Sequence, residues 1–182
     1  EMCIRDRFKY ACHKAGIDIE KIKIIDAGNG NQMDTAFREG EGQYIHQQGP
    51  APQQLAADGV GHVLAQLGPT IGACGFSSLA ATPAWLATDT ARAFTRAYIK
   101  TRDYMNDASA SEIAKAEKPL FPDIDLEVLT DCIATYQAMG CWTRHIDITQ
   151  EGYDAMLDIF EYDGKLPHRY SYHQVCAPPP AI

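Results

Sequence analysis

The hydrophobic period changes at residue 82, and that change divides the chain into two parts with different building rules. Beyond it, Thr82-Pro83 reads as an N-cap followed by proline in the first helical position. Leu86, Thr90, Ala93, Phe94, Ala97, Tyr98, Thr101 and Met105 then mark one face of a helix through several turns. Ser109-Ala110-Ser111-Glu112 is a capping box opening a short helix that must stop before Pro119. Asp125 caps a third helix whose Leu129, Cys132, Ile133, Tyr136 and Met139 form a buried stripe ended by Gly140. Thr149 caps a fourth, with Tyr153, Met156, Leu157 and Phe160 inward and Gly164 beyond. The tail, Cys176-Ala177-Pro178-Pro179-Pro180, is expected to be extended and exposed.

Before residue 82 the units are shorter and punctuated by glycine. Phe8 to Ala15 reads as a helix ended by Gly16. Ile19 to Ala27 has the composition of a strand and runs into Gly28-Asn29-Gly30-Asn31, where Asn31 can cap a helix carrying Met33, Ala36 and Phe37 on one face. Gln43 to Gln48 reads as a second strand, with Tyr44 and His46 on one side and Ile45 and Gln47 on the other. Gln53 to Asp58 reads as one helical turn and His62 to Leu67 as a third strand. Short strands alternating with short helices imply an α/β layer over residues 8–80, with a helical part over residues 81–182. A domain of ~60 residues buries only about 60% of its unfolded surface, so this layer needs the rest of something.

Charge and composition remove whole classes of function. The 182 residues are 46% hydrophobic and 22% charged, ordinary for a globular chain, and 16 Lys plus Arg against 24 Asp plus Glu leave a net charge of −8. That balance repels phosphate backbones and anionic lipid, so nucleic acid is not an expected partner. No stretch approaches the ~20 apolar residues that span a bilayer, because Gly and Pro interrupt the run from Val60 to Ala84. Residues 1–7, Glu1-Met2-Cys3-Ile4-Arg5-Asp6-Arg7, are not a secretory signal and resemble a translated sequencing adapter, so a non-native leader on a C-terminal piece of a longer protein is expected there. The six cysteines form no C-x-x-C pair and fit unpaired core thiols. No histidine pair has metal-ligand spacing, and nucleophile elbow, Walker loop and G-x-G-x-x-G are all missing. Neither metal nor cofactor nor catalytic residue is therefore expected. His145-Ile146-Asp147 fits a structural hydrogen bond better than a catalytic pair.

One signal remains, a strand, a Gly/Asn turn and a helix N-terminus presenting unpaired N–H groups to a polar ligand. Asn29, Gly30, Asn31 and Gln32 make up that turn, and an ordinary tight βα turn is the competing explanation for them. Tyr44, Gln47 and Gln48 on the next strand add a ring and uncharged amides, with core packing as the alternative for Tyr44. Ser77 and Ser78 offer hydroxyls at a strand end, although a cap or turn is the usual role of such a pair.

Taken together, Gly40-Glu41-Gly42-Gln43-Tyr44, Gln47-Gln48-Gly49-Pro50-Ala51-Pro52-Gln53-Gln54-Leu55, Phe76-Ser77-Ser78-Leu79-Ala80-Ala81, Trp85-Leu86-Ala87 and Gly140-Cys141-Trp142 resemble the second half of a substrate-binding protein of an ABC importer, in the nitrate, sulphonate and thiamine-precursor (SsuA-like) group. The resemblance covers Phe8 to Pro180. It implies a type II periplasmic-binding fold, α/β, with lobe two and a return crossing in residues 8–80, C-terminal helices that would pack on lobe one, and lobe one itself missing. It also implies ligand contacts from the Gly28 to Gln32 turn and the residues beside Tyr44; with the residue reading above, Asn29, Gly30, Asn31, Gln32, Tyr44, Gln47 and Ser77 are the expected ligand-binding residues. The expected function is capture of a small solute outside the cytoplasmic membrane, in the periplasm or an equivalent extracytoplasmic space, and delivery to a membrane ABC permease, with no bond made or broken. The amide-rich candidate site, with only Arg38 as a nearby cation, favours an uncharged or weakly anionic heterocycle such as a pyrimidine thiamine precursor over nitrate. The alternative from another class is the pyrimidine-precursor synthase of thiamine biosynthesis, which shares the family fold but needs a cysteine-rich segment this chain lacks. A helical interaction module is a third possibility, which the capped, compact helices disfavour. Helices evolved to cover an absent lobe would leave apolar surface exposed around Trp85, Phe94 or Tyr136.

Overall fold

A computed structural model describes residues 4–182 of the chain. Residues 1–3, which include Cys3 and three of the seven residues of the expected leader, lie outside the described residues. The other four form the first turn of helix α1 (Ile4–Lys14), where Asp6 is buried against Lys165 at 2.5 Å.

The architecture corrects the expected α/β class. Among the described residues the backbone forms helices joined by turns and irregular segments, with no β-sheet and hence no periplasmic-binding-type lobe. After α1 come α2 (Gly30–Arg38), α3 (Ala51–Ala57), α4 (Gly68–Ile71), α5 (Pro83–Leu86), α6 (Asp89–Asp107), α7 (Ala110–Glu117), α8 (Leu126–Ala138), α9 (Gln150–Tyr162) and α10 (Tyr172–Val175). Of the three expected strands, the first opens as a 3-10 turn at Ile19–Lys21, and residues 23–28, 44–48 and 61–66 take no regular secondary structure; no main-chain hydrogen bond joins one stretch to another among the described residues. A ladder requires neighbouring backbones about 4.8 Å apart along their whole length. Here side chains tie these segments to helices instead. Gln47 donates to the Gly30 carbonyl at 2.6 Å, His46 stacks on Phe8 at 5.3 Å, and Phe37 sits under Gly61. As a result Ile22, Ile24, Ile25, Val63 and Leu64 face solvent, Leu64 at 74% exposure.

The helical expectations fare better, because their caps are local. Ser109 and Glu112 close the expected capping box on α7, and Thr149 accepts from the Gly152 N–H to open α9. The helix expected from Thr82 is divided. Thr82 caps only α5, and Thr88 then turns its hydroxyl into a second cap for α6 by accepting from the Ala91 N–H while donating to the Trp85 carbonyl. Asn29, not Asn31, caps α2. Asp125 stands at the start of α8 but its carboxylate makes no capping bond.

Two apolar clusters hold the helices. In the first, Ile113 and Ala114 of α7 meet Leu129 and Ile133 of α8, with Met105, Phe121, Ile124 and Trp142 around them. Gln137 on α8 reinforces this contact by donating to the Met105 and Ala108 carbonyls at 2.9 and 3.0 Å, satisfying the end of α6. The Lys118 ammonium binds the turn below, donating to the carbonyls of Phe121, Pro122 and Ile124 at 3.2, 2.9 and 2.6 Å. The second cluster joins Ala11 of α1, Ile71 of α4 and Ile159 of α9. Beside it Asp163 receives Lys9 at 2.6 Å and Lys165 at 2.8 Å. The Lys165 and Lys9 hydrogen bonds hold the Asp163 carboxyl down to about 2. The surface carries an aromatic row outside both clusters, Trp85 on Phe94 at 6.0 Å and Phe94 on Tyr98 at 6.1 Å, with Phe94 45% exposed.

Candidate functional site

The irregular segment 23–28 ends in Gly28, whose φ of 102° only glycine adopts without strain; a Cβ there would also stand 2.3 Å from the Gln32 Oε1. The left-handed turn lets Asn29 start α2 with a reciprocal cap. The Asn29 Oδ1 accepts from the N–H groups of Asn31 and Gln32, each at 3.1 Å, and the Gln32 Oε1 accepts from the Asn29 N–H at 2.9 Å. The first turn of α2 is thus capped reciprocally, and part of the donor set expected for a ligand satisfies the helix itself.

Beyond the cap lies an open depression of about 420 Å³ lined by Ala27, Asn31, Gln32, Thr35, Ala36, Glu39 and Glu41. Two of the expected contact residues, Asn31 and Gln32, are on its wall. Asn29 and Gly30 stand beside it in the cap, and Gln47 is fastened to Gly30 by its amide. Tyr44 is 77% exposed on segment 43–48, and neither it nor Ser77 has a hydrogen bond to the α2 turn among the described residues. Thr35, Glu39 and Glu41 are lining residues the motif reading did not name. The i, i+4 progression from Asn31 through Thr35 to Glu39 along one helical face is the signal that could have found them.

The electrostatics of this depression are neutral to acidic. Arg38, the cation on α2, is engaged on both sides, by Asp34 at 2.7 Å and by Asp58 at 2.7 Å, and these bonds raise its guanidinium above its ordinary range. Asp58 is held below the usual carboxylate range by hydrogen bonds from Gln54 and then Arg38. Glu39 and Glu41 are exposed at the other end. Close by, burial and then the Arg7 charge push the His46 imidazole below its ordinary range. No group of three His, Cys, Asp or Glu side chains is gathered to hold a metal among the described residues. No helix among them is long and apolar enough to cross a membrane.

Comparison with known proteins gives one informative relative. No family model matches the chain, and no solved structure does. A protein of Bacillus subtilis (strain 168), named "Putative binding protein YtlA", is 27% identical over 174 residues, which cover 94% of this chain and 50% of the relative. The chain therefore spans about half the length of the curated relative it is similar to, and the similarity runs through both the α2 region and the helices after residue 82.

Proposed function

We propose that the chain acts in solute capture, holding a small polar molecule in the depression beside α2 and releasing it to an ABC permease at the outer face of the cytoplasmic membrane, without chemical change to the solute. The name of the B. subtilis relative supports a binding role, and the resemblance of the segments around Gln47 to Leu55 and Phe76 to Ala81 to importer-linked binders supports the solute class. The observation that carries the choice of solute is the spent charge of Arg38: with Asp34 and Asp58 both on its guanidinium, the depression offers amides, a hydroxyl and two carboxylates, and no cation lines it among the described residues. A nitrate or sulphonate would leave its charge unmatched there, whereas an aminopyrimidine presents ring nitrogens and an amino group to Asn31, Gln32 and Glu39.

Isothermal titration with a thiamine-precursor aminopyrimidine, an alkanesulphonate and nitrate tests this. Saturable heat with the pyrimidine alone is the expected result. Saturable binding of sulphonate or nitrate with no response to the pyrimidine overturns the solute class.

A further inference from the structure

Helix α2 contributes no buried residue to either core cluster, yet it carries most of the candidate site. Besides the half-buried Phe37 ring under Gly61, polar fastenings hold it at its two ends. At the C-terminal end Arg38 reaches Asp58 of the α3 turn. At the N-terminal end a single side chain from a distant part of the sequence does the same work, the Gln47 Nε2 donating to the Gly30 carbonyl at 2.6 Å. The Gln47 Oε1 lies 3.5 Å from where a Gly30 Cβ would be, so the amide is seated directly against the first turn.

We infer that Gln47 is a positioning residue, which fixes the first turn of α2 so that Asn31 and Gln32 face the depression, and which does not itself touch the solute. The inference rests on the solute-binding reading above. The Gln47 donor is committed to the Gly30 carbonyl, and the depression is lined by the face of α2 that begins at Asn31. Donation, and not the amide as such, is what the position requires. A lysine there keeps a donor within reach of Gly30, a leucine removes it, and a glutamate sets two acceptors against each other.

The test uses the full chain with Gln47→Leu, Gln47→Glu and Gln47→Lys, read in two ways. Without solute, hydrogen exchange over residues 30–38 is expected to quicken by roughly fivefold in the Leu and Glu variants and to stay near wild type in the Lys variant, as for one lost hydrogen bond. With the aminopyrimidine, affinity is expected to fall by a similar factor in the Leu and Glu variants and to be rescued by Lys. Unchanged exchange in Gln47→Leu overturns the inference. So does loss of affinity in the Lys variant with normal exchange, because that pattern makes Gln47 a direct ligand contact. A wild-type chain that takes up no pyrimidine sinks the solute reading instead, and the exchange comparison alone then decides whether Gln47 fastens α2.

Discussion

The correction from sheet to helices can be measured by comparing two truncations, Ile113→Ala and Leu64→Ala. Ile113 is 1% exposed between α7 and α8, whereas Leu64, at the centre of an expected strand, is 74% exposed. Each change removes three carbons. At about 0.8 kcal/mol per buried methylene, Ile113 loses roughly 2.4 kcal/mol of transfer free energy, and the cavity left among Leu129, Ile133 and Ala114 brings the total to about 3–4 kcal/mol. For Leu64 only about a quarter of the side chain leaves water, so the same arithmetic gives roughly 0.6 kcal/mol. In a chain of this length 1 kcal/mol moves the melting midpoint by about 2–4 °C, so Ile113→Ala should lower Tm by about 10 °C and Leu64→Ala by about 2 °C. Urea unfolding followed by circular dichroism, with melting as a second probe, supplies both values. Equal losses from the two variants would refute the reasoning, because a Leu64 as costly as Ile113 belongs to a covered strand.

Two further outcomes follow from the charges. The folded Asp163 carboxyl is held at about 2, below its unfolded value, so the stability it contributes is complete above about pH 4 and drains away as pH falls toward 2. Asp163→Asn should remove on the order of 2 kcal/mol at neutral pH and flatten the acid limb of the stability profile in urea titrations; an unaltered acid limb refutes the assignment. Asp34→Asn combined with Asp58→Asn frees the Arg38 guanidinium, and the double variant should gain saturable nitrate or sulphonate binding in calorimetry that Arg38→Gln does not show.

What could be read from the sequence was whatever a few neighbouring residues decide among themselves. Ser109 with Glu112, Thr149 with Gly152, and the α8 stripe through Leu129, Cys132 and Ile133 are contacts within one or two turns, and spacing alone exposes them. Residues 23–28, 44–48 and 61–66 stay out of helix, as their composition suggests, but they form no strand. Their pairing was not local. Alternating isoleucines say that a segment can present two faces, but not that another backbone lies alongside to complete a ladder, and here Gln47, His46 and Phe37 make side-chain contacts instead. The same limit governs the site. Asn31 and Gln32 were legible from the Gly/Asn turn, whereas the neutralised Arg38 depends on Asp58, which is 20 positions away and recognisable as its partner only once α3 is in place. The split of α5 from α6 turned on Thr88 choosing to cap, a choice that an uninterrupted apolar face conceals.

The two apolar clusters differ in the length of chain each must draw together. The Ile113 group is gathered from residues between Met105 and Trp142, so it closes over short loops and can form while the remainder is still unsettled. The group around Ile159 brings together Ala11, Ile71 and Ile159, so it closes over much longer stretches of chain. Assembling the Ile113 group therefore costs less chain entropy than assembling the group around Ile159.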